Sequence, residues 1–213
     1  VGTTANTFYA LNDDLSVKWQ YQTASEIAAA AAVTGNSLVA VADAGGDVYA
    51  INNEGGLAWK TTTNAYVGAS IAIHNNGNVL VANAAGELHA LNPDTGALVY
   101  DFALTEPAEI STFAVGGDGS VYFGAYDNNF YALDSSLNEK WHYPTQGKVV
   151  NSPVIDFRGR IFFVEYDSKR LVNLIDNGSG YTEHLIVPLQ GEAYSAPLVS
   201  STGRIYVSDL EGR

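Results

Sequence analysis

Cysteine is absent from this 213-residue chain, which excludes both a disulfide framework and a thiolate metal site and leaves its redox compartment unreadable. Methionine is absent as well, even at position 1. The chain is therefore expected to start after processing or to be cut from something longer, with any targeting signal outside it. Cationic residues are few: ten Lys and Arg against 23 Asp and Glu give a formal charge of −13, and the ten are scattered rather than gathered into a stripe. Such a surface repels a phosphate backbone, so no nucleic-acid partner is expected. It is compatible with cation binding or basic partners, and it also serves plain solubility. Long apolar runs are missing too. The longest, residues 27–33, is mostly alanine and far too short to cross a bilayer, so no membrane insertion is expected. No stretch combines helical periodicity with caps.

What the chain does contain is a hydrophobic fraction of 46%, 13 tyrosines and 21 glycines, a composition suited to short strands joined by tight turns. It also repeats. Phe8-Tyr9-Ala10-Leu11, followed by Trp19, returns as Val48-Tyr49-Ala50-Ile51 with Trp59 and as Phe130-Tyr131-Ala132-Leu133 with Trp141. Weaker copies fill the gaps, Leu88-His89-Ala90-Leu91 leading to Tyr100 and Leu171-Val172-Asn173-Leu174 leading to Tyr181. The step is 40 to 42 residues, the length of a four-stranded propeller blade. A repeat running end to end predicts one domain over residues 1–213, with units near 1–26, 27–66, 67–108, 109–148, 149–191 and 192–213, the first and last partial.

Within one unit, apolar runs at residues 68–73, 79–82, 87–91 and 98–102 are separated by Gly, Asn, Asp and Pro clusters that supply positive φ or preset turns. The predicted class is all-β, a β-propeller of four-stranded antiparallel blades with five repeats of about 41 residues. Gly35, Gly77, Gly119, Gly159 and Gly203 are assigned to the first turn of each unit, as the positive-φ residue of a two-residue hairpin. Seven residues before them stand Ala28, Ser70, Thr112, Ser152 and Ala196, all small, as crowded innermost strands require. Trp19, Trp59, Tyr100 and Trp141 fall on the outermost strand, where large rings cover the space between blades, a structural role. The chain starts late in a second strand and ends in another. Two arrangements follow: a five-bladed ring closed by two-plus-two strand pairing of the termini, or an arc of a larger ring.

The segment Ala90-Leu91-Asn92-Pro93-Asp94-Thr95-Gly96-Ala97-Leu98-Val99-Tyr100, with Ser152-Pro153-Val154 and Ala196-Pro197-Leu198, resembles the repeat of pyrroloquinoline-quinone-like (quinoprotein-type) propellers. The resemblance covers essentially the whole chain. It departs where three units shorten the outer turn by one residue, where the Thr-Gly pair survives only at Thr95-Gly96, and where Asn173 replaces the repeat alanine. That family includes quinone-dependent dehydrogenases, usually eight-bladed, and non-enzymatic relatives such as scaffold lipoproteins of outer-membrane protein assembly and repeat domains of cell-surface proteins. Its dehydrogenases hold the quinone over a tryptophan floor, often against a disulfide, beside a calcium ion. This chain has no cysteine, and its three tryptophans already fill repeat positions. The resemblance therefore implies the non-enzymatic branch, no cofactor, and a secreted, periplasmic or cell-surface location. PQQ and Ca²⁺ enter only under the alternative, a fragment of a quinone-dependent dehydrogenase.

Chemistry is sparse. His74, His89, His142 and His184 are spread through the units without a ligand spacing, read as solvent or edge positions, and no metal site is expected. There is no Gly-x-Ser-x-Gly elbow, and Gly116-Gly117-Asp118-Gly119 joins strands instead of opening a helix, so no catalytic residue is assigned. Asp13-Asp14 lacks the order of a calcium loop. The loops joining second to third strands and one blade to the next must share a face, which collects Glu26, Asp43, Asp47, Glu87, Glu109, Asp127, Asp167, Glu192, Asp209 and Glu211, with Lys148, Lys169 and Arg170 as counterpoint. Its mouth is expected to be ringed by Glu26, Tyr66, Glu109, Lys148, Asn151, Glu192 and Tyr194. Convergent carboxylate, amide and phenol groups suit a protein or carbohydrate partner, and further domains of a parent chain are compatible with this. The expected function is a non-enzymatic scaffold or binding domain.

Overall fold

The computed structural model describes residues 1–68 and 71–211, in two compact units, Val1–Pro107 and Ala108–Arg213. Ala69 and Ser70, the latter one of the predicted small innermost residues, lie outside the described residues. The regular structure is entirely β among the residues described.

The first unit begins with β1 (Thr7–Leu11) paired to β2 (Val17–Gln22). Two four-stranded sheets follow: β3 (Ala32–Val33), β4 (Val39–Ala42), β5 (Asp47–Ile51) and β6 (Leu57–Thr62), then β7 (Ala72–Ile73), β8 (Val79–Ala82), β9 (Glu87–Leu91) and β10 (Leu98–Ala103). The second unit holds β11 (Ala114–Val115), β12 (Val121–Gly124), β13 (Asn129–Leu133) and β14 (Glu139–Pro144) in one sheet and β15 (Val154–Ile155), β16 (Arg160–Glu165), β17 (Arg170–Asp176) and β18 (Tyr181–Pro188) in another. It ends with the pair β19 (Leu198–Val199) and β20 (Ile205–Tyr206). Chain neighbours are sheet neighbours throughout and pair antiparallel, as expected of blades. Gly2 bridges Phe8, and Val1 and Tyr9 exchange backbone hydrogen bonds, so residues 1–2 lie antiparallel beside β1.

Burial explains the residue choice. Second strands such as Val79-Leu80-Val81-Ala82 are buried on both faces and read as unbroken apolar runs, whereas outer strands such as β6 bury only part of their residues. Each fully buried Leu or Val there is worth about 1.5–3 kcal/mol of transfer free energy.

Between third and fourth strands the register slips once in each of the first four repeats, just before the repeat aromatic. Ala10 faces Trp19, Ala50 faces Trp59, Ala90 faces Tyr100 and Ala132 faces Trp141, leaving one bulged residue in each case. In the fifth unit Asn173 faces Leu185, so Tyr181 is not the counterpart expected from the sequence. The longer β17–β18 hairpin moves it opposite Asp176, and it packs on Trp141 and Tyr143 at 5.2 and 5.3 Å between ring centroids. The three indoles cover the neighbouring sheet as expected. Trp19 Nε1 donates to Asn53 O at 3.0 Å, Trp59 Nε1 to Pro93 O at 2.8 Å and Trp141 Nε1 to the Asp176 carboxylate at 3.0 Å. Gly96, at φ +69°, admits the Trp59 ring, which a Cβ there would meet at 2.5 Å. Tyr100 holds the same register but is 39% exposed.

The first-turn glycines need a correction. His74 N donates to Asn78 O and Gly77 N to His74 O, which makes a three-residue loop whose last residue takes the left-handed conformation. Gly77, Gly119, Gly159 and Gly203 all sit there, but in the first complete unit the place belongs to Ser37 at φ 65°, not Gly35. Ala30 is then the small residue seven positions upstream, not Ala28. The outer turns use an Asn or Asp in the same spirit: Asn52 Oδ1 accepts from Glu54 N and Gly56 N, and Asp134 Oδ1 from Ser136 N and Asn138 N.

Candidate functional site

Five of the seven residues expected at the mouth occupy one equivalent place in successive repeats. The carbonyls of Glu26, Tyr66, Glu109, Lys148 and Glu192 accept a backbone hydrogen bond of 2.8–3.0 Å from Ala44, Ala84, Tyr126, Tyr166 and Leu210, each in the loop that follows a second strand. The next residue along, Ile27, Val67, Ile110, Val149 or Ala193, is buried. An extended segment buries alternate side chains, so each backbone is anchored while its mouth side chain points to solvent. Glu26, Tyr66, Glu109 and Lys148 are exposed and Glu192 is half-buried. Glu26 and Tyr66 belong to the first unit, the other five to the second. Gly124 lets the Lys148 segment approach: a Cβ on it would lie 2.1 Å from Val149 Cβ.

The second unit brings its mouth residues together with two tyrosines that the sequence reading missed. Lys148 Nζ stands over the Tyr126 ring at 5.5 Å, a cation–π contact. Tyr166 Oη donates to the Glu192 carboxylate at 2.5 Å, and its ring meets that of Tyr194 at 4.5 Å. Hydrogen bonding to Glu192, then to Tyr194, raises the Tyr166 phenol above its ordinary value; burial, then the charges of Glu109 and Tyr194, raise Tyr126. Lys148 N donates to Asp167 at 3.3 Å. Asn151 Nδ2 is shielded from solvent with no hydrogen-bond partner among the described residues. Exposure of Tyr126 at 37% and Tyr194 at 57% leaves two phenol rings open to a partner. The signal for Tyr126 and Tyr166 was the column Ala44, Ala84, Tyr126, Tyr166, Leu210, in which alanine gives way to large side chains in the second unit.

Many of the predicted loop-face charges are consumed inside their own loops. Asp43 is fully buried and accepts from Ser25 N, Gly45 N, Asp47 N and Tyr49 Oη. Asp47 pairs with Lys60 at 2.7 Å, Glu87 with Asn83 at 2.7 Å, and Asp127 with Tyr131 at 2.5 Å. Arg170 is drawn to buried Glu165, its Nε 3.2 Å from the carboxylate. The histidines also divide. His142 and His184 are exposed, but His74 is buried in its turn, where Nδ1 accepts from Asn76 N, contrary to the solvent or edge position expected. Among the described residues no cluster of three or more His, Asp or Glu suits a metal ion. Trp59 and Trp141 do not fit a quinone floor, because both rings are buried, Trp59 against Gly96 and Trp141 against Phe130 and Tyr181.

Solved structures resemble this arrangement over nearly its whole length. BamB from Moraxella catarrhalis matches with a TM-score of 0.76 at 17% identity, covering 100% of this chain and 74% of that one. Selenomethionine-substituted virginiamycin B lyase from Staphylococcus aureus matches at 0.74 and 13% identity, covering 98% and 79%. The β-propeller domain of Myceliophteria thermophila Cps50 (Swd1) matches at 0.71 and 11%, covering 98% and 75%. These likenesses define the class, a β-propeller of four-stranded antiparallel blades. Residues 44–213 match the PQQ-like repeat family described as outer membrane protein assembly factor BamB, and the chain belongs to that family. No curated protein matches the sequence.

Proposed function

We propose that this chain is a non-enzymatic scaffold that binds a protein partner through the loop surface of its second unit, with Tyr126, Tyr194 and Lys148 as the contact residues and Glu109, Glu192 and Asn151 around them. The observation that carries this reading is the division of labour at the equivalent loop positions: backbones are committed to the fold, while exposed aromatic and charged side chains are not. Exposed tyrosines beside mixed charges are the usual anchors of protein interfaces, and removing one costs about 2 kcal/mol or more of affinity. Glu26 and Tyr66 extend the same set of positions in the first unit. Membership of the BamB family supports a periplasmic or cell-surface setting and a role in assembly rather than catalysis.

Site-specific photocrosslinking tests this. Photoreactive side chains at Tyr126 and Tyr194 are expected to capture protein from the native cell envelope, whereas one at Val17, on an outer strand, captures none. Equal capture from all three positions, or none from the first two, overturns the reading. A glycan array on which Tyr194→Ala extinguishes a signal would replace the protein partner with carbohydrate. Dye-linked alcohol oxidation after addition of PQQ and Ca²⁺ would replace the scaffold with a dehydrogenase fragment.

A further inference from the structure

One interface between successive sheets of the first unit has lost the rings that fill its neighbour. Where β5 meets the preceding sheet, Tyr21 and Tyr49 pack at 5.6 Å, and Tyr49 Oη accepts from Ala24 N at 3.1 Å and donates to Asp43 at 3.0 Å. One repeat later the same register places Thr61 and His89 in those positions. Thr61 takes the place of Tyr21, two residues after the repeat tryptophan, and His89 takes the place of Tyr49. Two phenol rings are thus exchanged for a threonine and an imidazole, which fill less space.

The result is a pocket of about 350 Å³ lined by Thr61, Asn64, Glu87, His89, Leu91 and Leu98 among others. That lies at the lower end of the size range of small-ligand sites. Two of the three groups around the Tyr49 hydroxyl have counterparts here; the third, Asp43, is replaced by Asn83, whose Nδ2 donates to Glu87 Oε2 at 2.7 Å, so Glu87 Oε1 is the carboxylate oxygen left for a ligand. Asn64 stands where Ala24 donates its N–H, and Glu87 stands where Asp47 reaches the hydroxyl at 3.4 Å. His89 Nε2 is withdrawn from solvent and makes no hydrogen bond; Glu87 Oε2 lies 3.4 Å from it. Leu91 and Leu98 supply apolar walls.

We propose that this pocket binds a hydroxyaryl ring, which restores the missing tyrosine: the ring lies against the wall formed by the paired Leu91 and Leu98, and its hydroxyl accepts from Asn64 N–H and donates to the Glu87 carboxylate. The ring can come from a free phenol or from a tyrosyl side chain of another chain. The site is on different elements from the loop surface above and does not depend on it.

Amide NMR of the labelled chain, titrated with 4-methylphenol, tests the assignment. Saturable shifts confined to residues 61–65, 85–91 and 98 are expected, with a dissociation constant of about 1 mM or tighter. Methylbenzene, which leaves the polar groups unpaired, is expected to bind at least about ten-fold more weakly. His89→Tyr refills the space as in the preceding repeat and is expected to abolish the shifts; Thr61→Phe does the same from the facing strand if the first variant does not fold. An acetylated Gly-Tyr-Gly amide separates the two sources, because equal binding of the peptide and 4-methylphenol marks a tyrosyl ligand, and binding of 4-methylphenol alone marks a small molecule. Shifts that do not saturate, that lie elsewhere, that survive both filled variants, or that methyl glucoside produces at lower concentration overturn the proposal.

Discussion

Replacing Asp176 with alanine should destabilise the second unit more than any exposed substitution. Its carboxylate is 9% exposed and collects four donors: Lys140 Nζ, itself 14% exposed, Tyr122 Oη at 2.6 Å, Trp141 Nε1 at 3.0 Å and Gly178 N at 2.7 Å. Removing it takes the counter-charge from a nearly buried ammonium, which keeps only Ser120 Oγ at 2.9 Å, and strands three polar hydrogens, a loss of about 3–5 kcal/mol. For a chain of this size each kcal/mol moves the melting temperature by about 2–4 °C, so the midpoint should fall by roughly 6–20 °C. Urea unfolding with fluorine-labelled tryptophan reads this, since Trp141 then reports apart from Trp19 and Trp59. The double variant Lys140→Met/Asp176→Leu removes both charges together and should recover part of the loss, but not all of it, because Tyr122 Oη, Trp141 Nε1 and Gly178 N still lack their acceptor. A single-variant loss below about 1 kcal/mol, or a double variant as unstable as the single one, would refute the reasoning.

The same carboxylate sets a pH dependence. Burial pushes Asp176 up, but the hydrogen bonds from Lys140, Tyr122, Trp141 and Gly178 outweigh it and hold the group below its ordinary value. A carboxyl depressed in the folded state contributes stability that is fully present above the unfolded value near 3.9 and is lost as pH falls through the folded value. Asp118, Asp134 and Asp156 are depressed as well, so acid unfolding of the second unit should set in below about pH 4, and Asp176→Asn should flatten that limb.

Further outcomes follow from backbone and packing. Gly124→Ala forces a Cβ against Val149 Cβ and should cost about 1–3 kcal/mol in urea unfolding; in a double-mutant cycle Val149→Gly, which removes that Cβ, should show coupling to it, and Val149→Ala, which keeps it, should recover little. Leu15 holds φ 66° while 76% exposed, so Leu15→Asn should raise stability by about 0.5–1 kcal/mol, and a decrease would show that the turn is not strained. Tyr194→Ala, at the exposed loop surface, should change stability by less than about 0.5 kcal/mol while lowering the yield of photocrosslinked partner from Tyr126.

The fold was legible because its signal is periodic. Copies of Tyr-Ala-Leu followed by Trp give both the length of a unit and its strand order, and the order β3 to β6 repeats through both units. Errors arose where local spacing changed without changing composition. Gly35 looked like the turn glycine, but the hydrogen bonds of Thr34 and Leu38 place Ser37 at the left-handed position. Tyr181 looked like the fifth repeat aromatic, but a longer hairpin assigns that register to Leu185. Tyr126 and Tyr166 were overlooked because loop tyrosines carry no pattern of their own; only the backbone bonds to Glu109 and Lys148 reveal which column they share.

By itself, then, the sequence determined the repeat, the four-strand unit, the covering role of Trp19, Trp59 and Trp141, and the equivalence of the loop positions Glu26, Tyr66, Glu109, Lys148 and Glu192. Each of these follows from periodicity along the chain, which copying preserves. The tertiary structure alone decided which polar groups are free. Asp43 and Glu165 vanish into their loops, the tyrosines gather around Lys148, Glu192 and Tyr194, and the exchange of Tyr49 for His89 one repeat later opens a pocket. Availability depends on what faces a side chain across sheets, and that partner lies a whole repeat away in sequence.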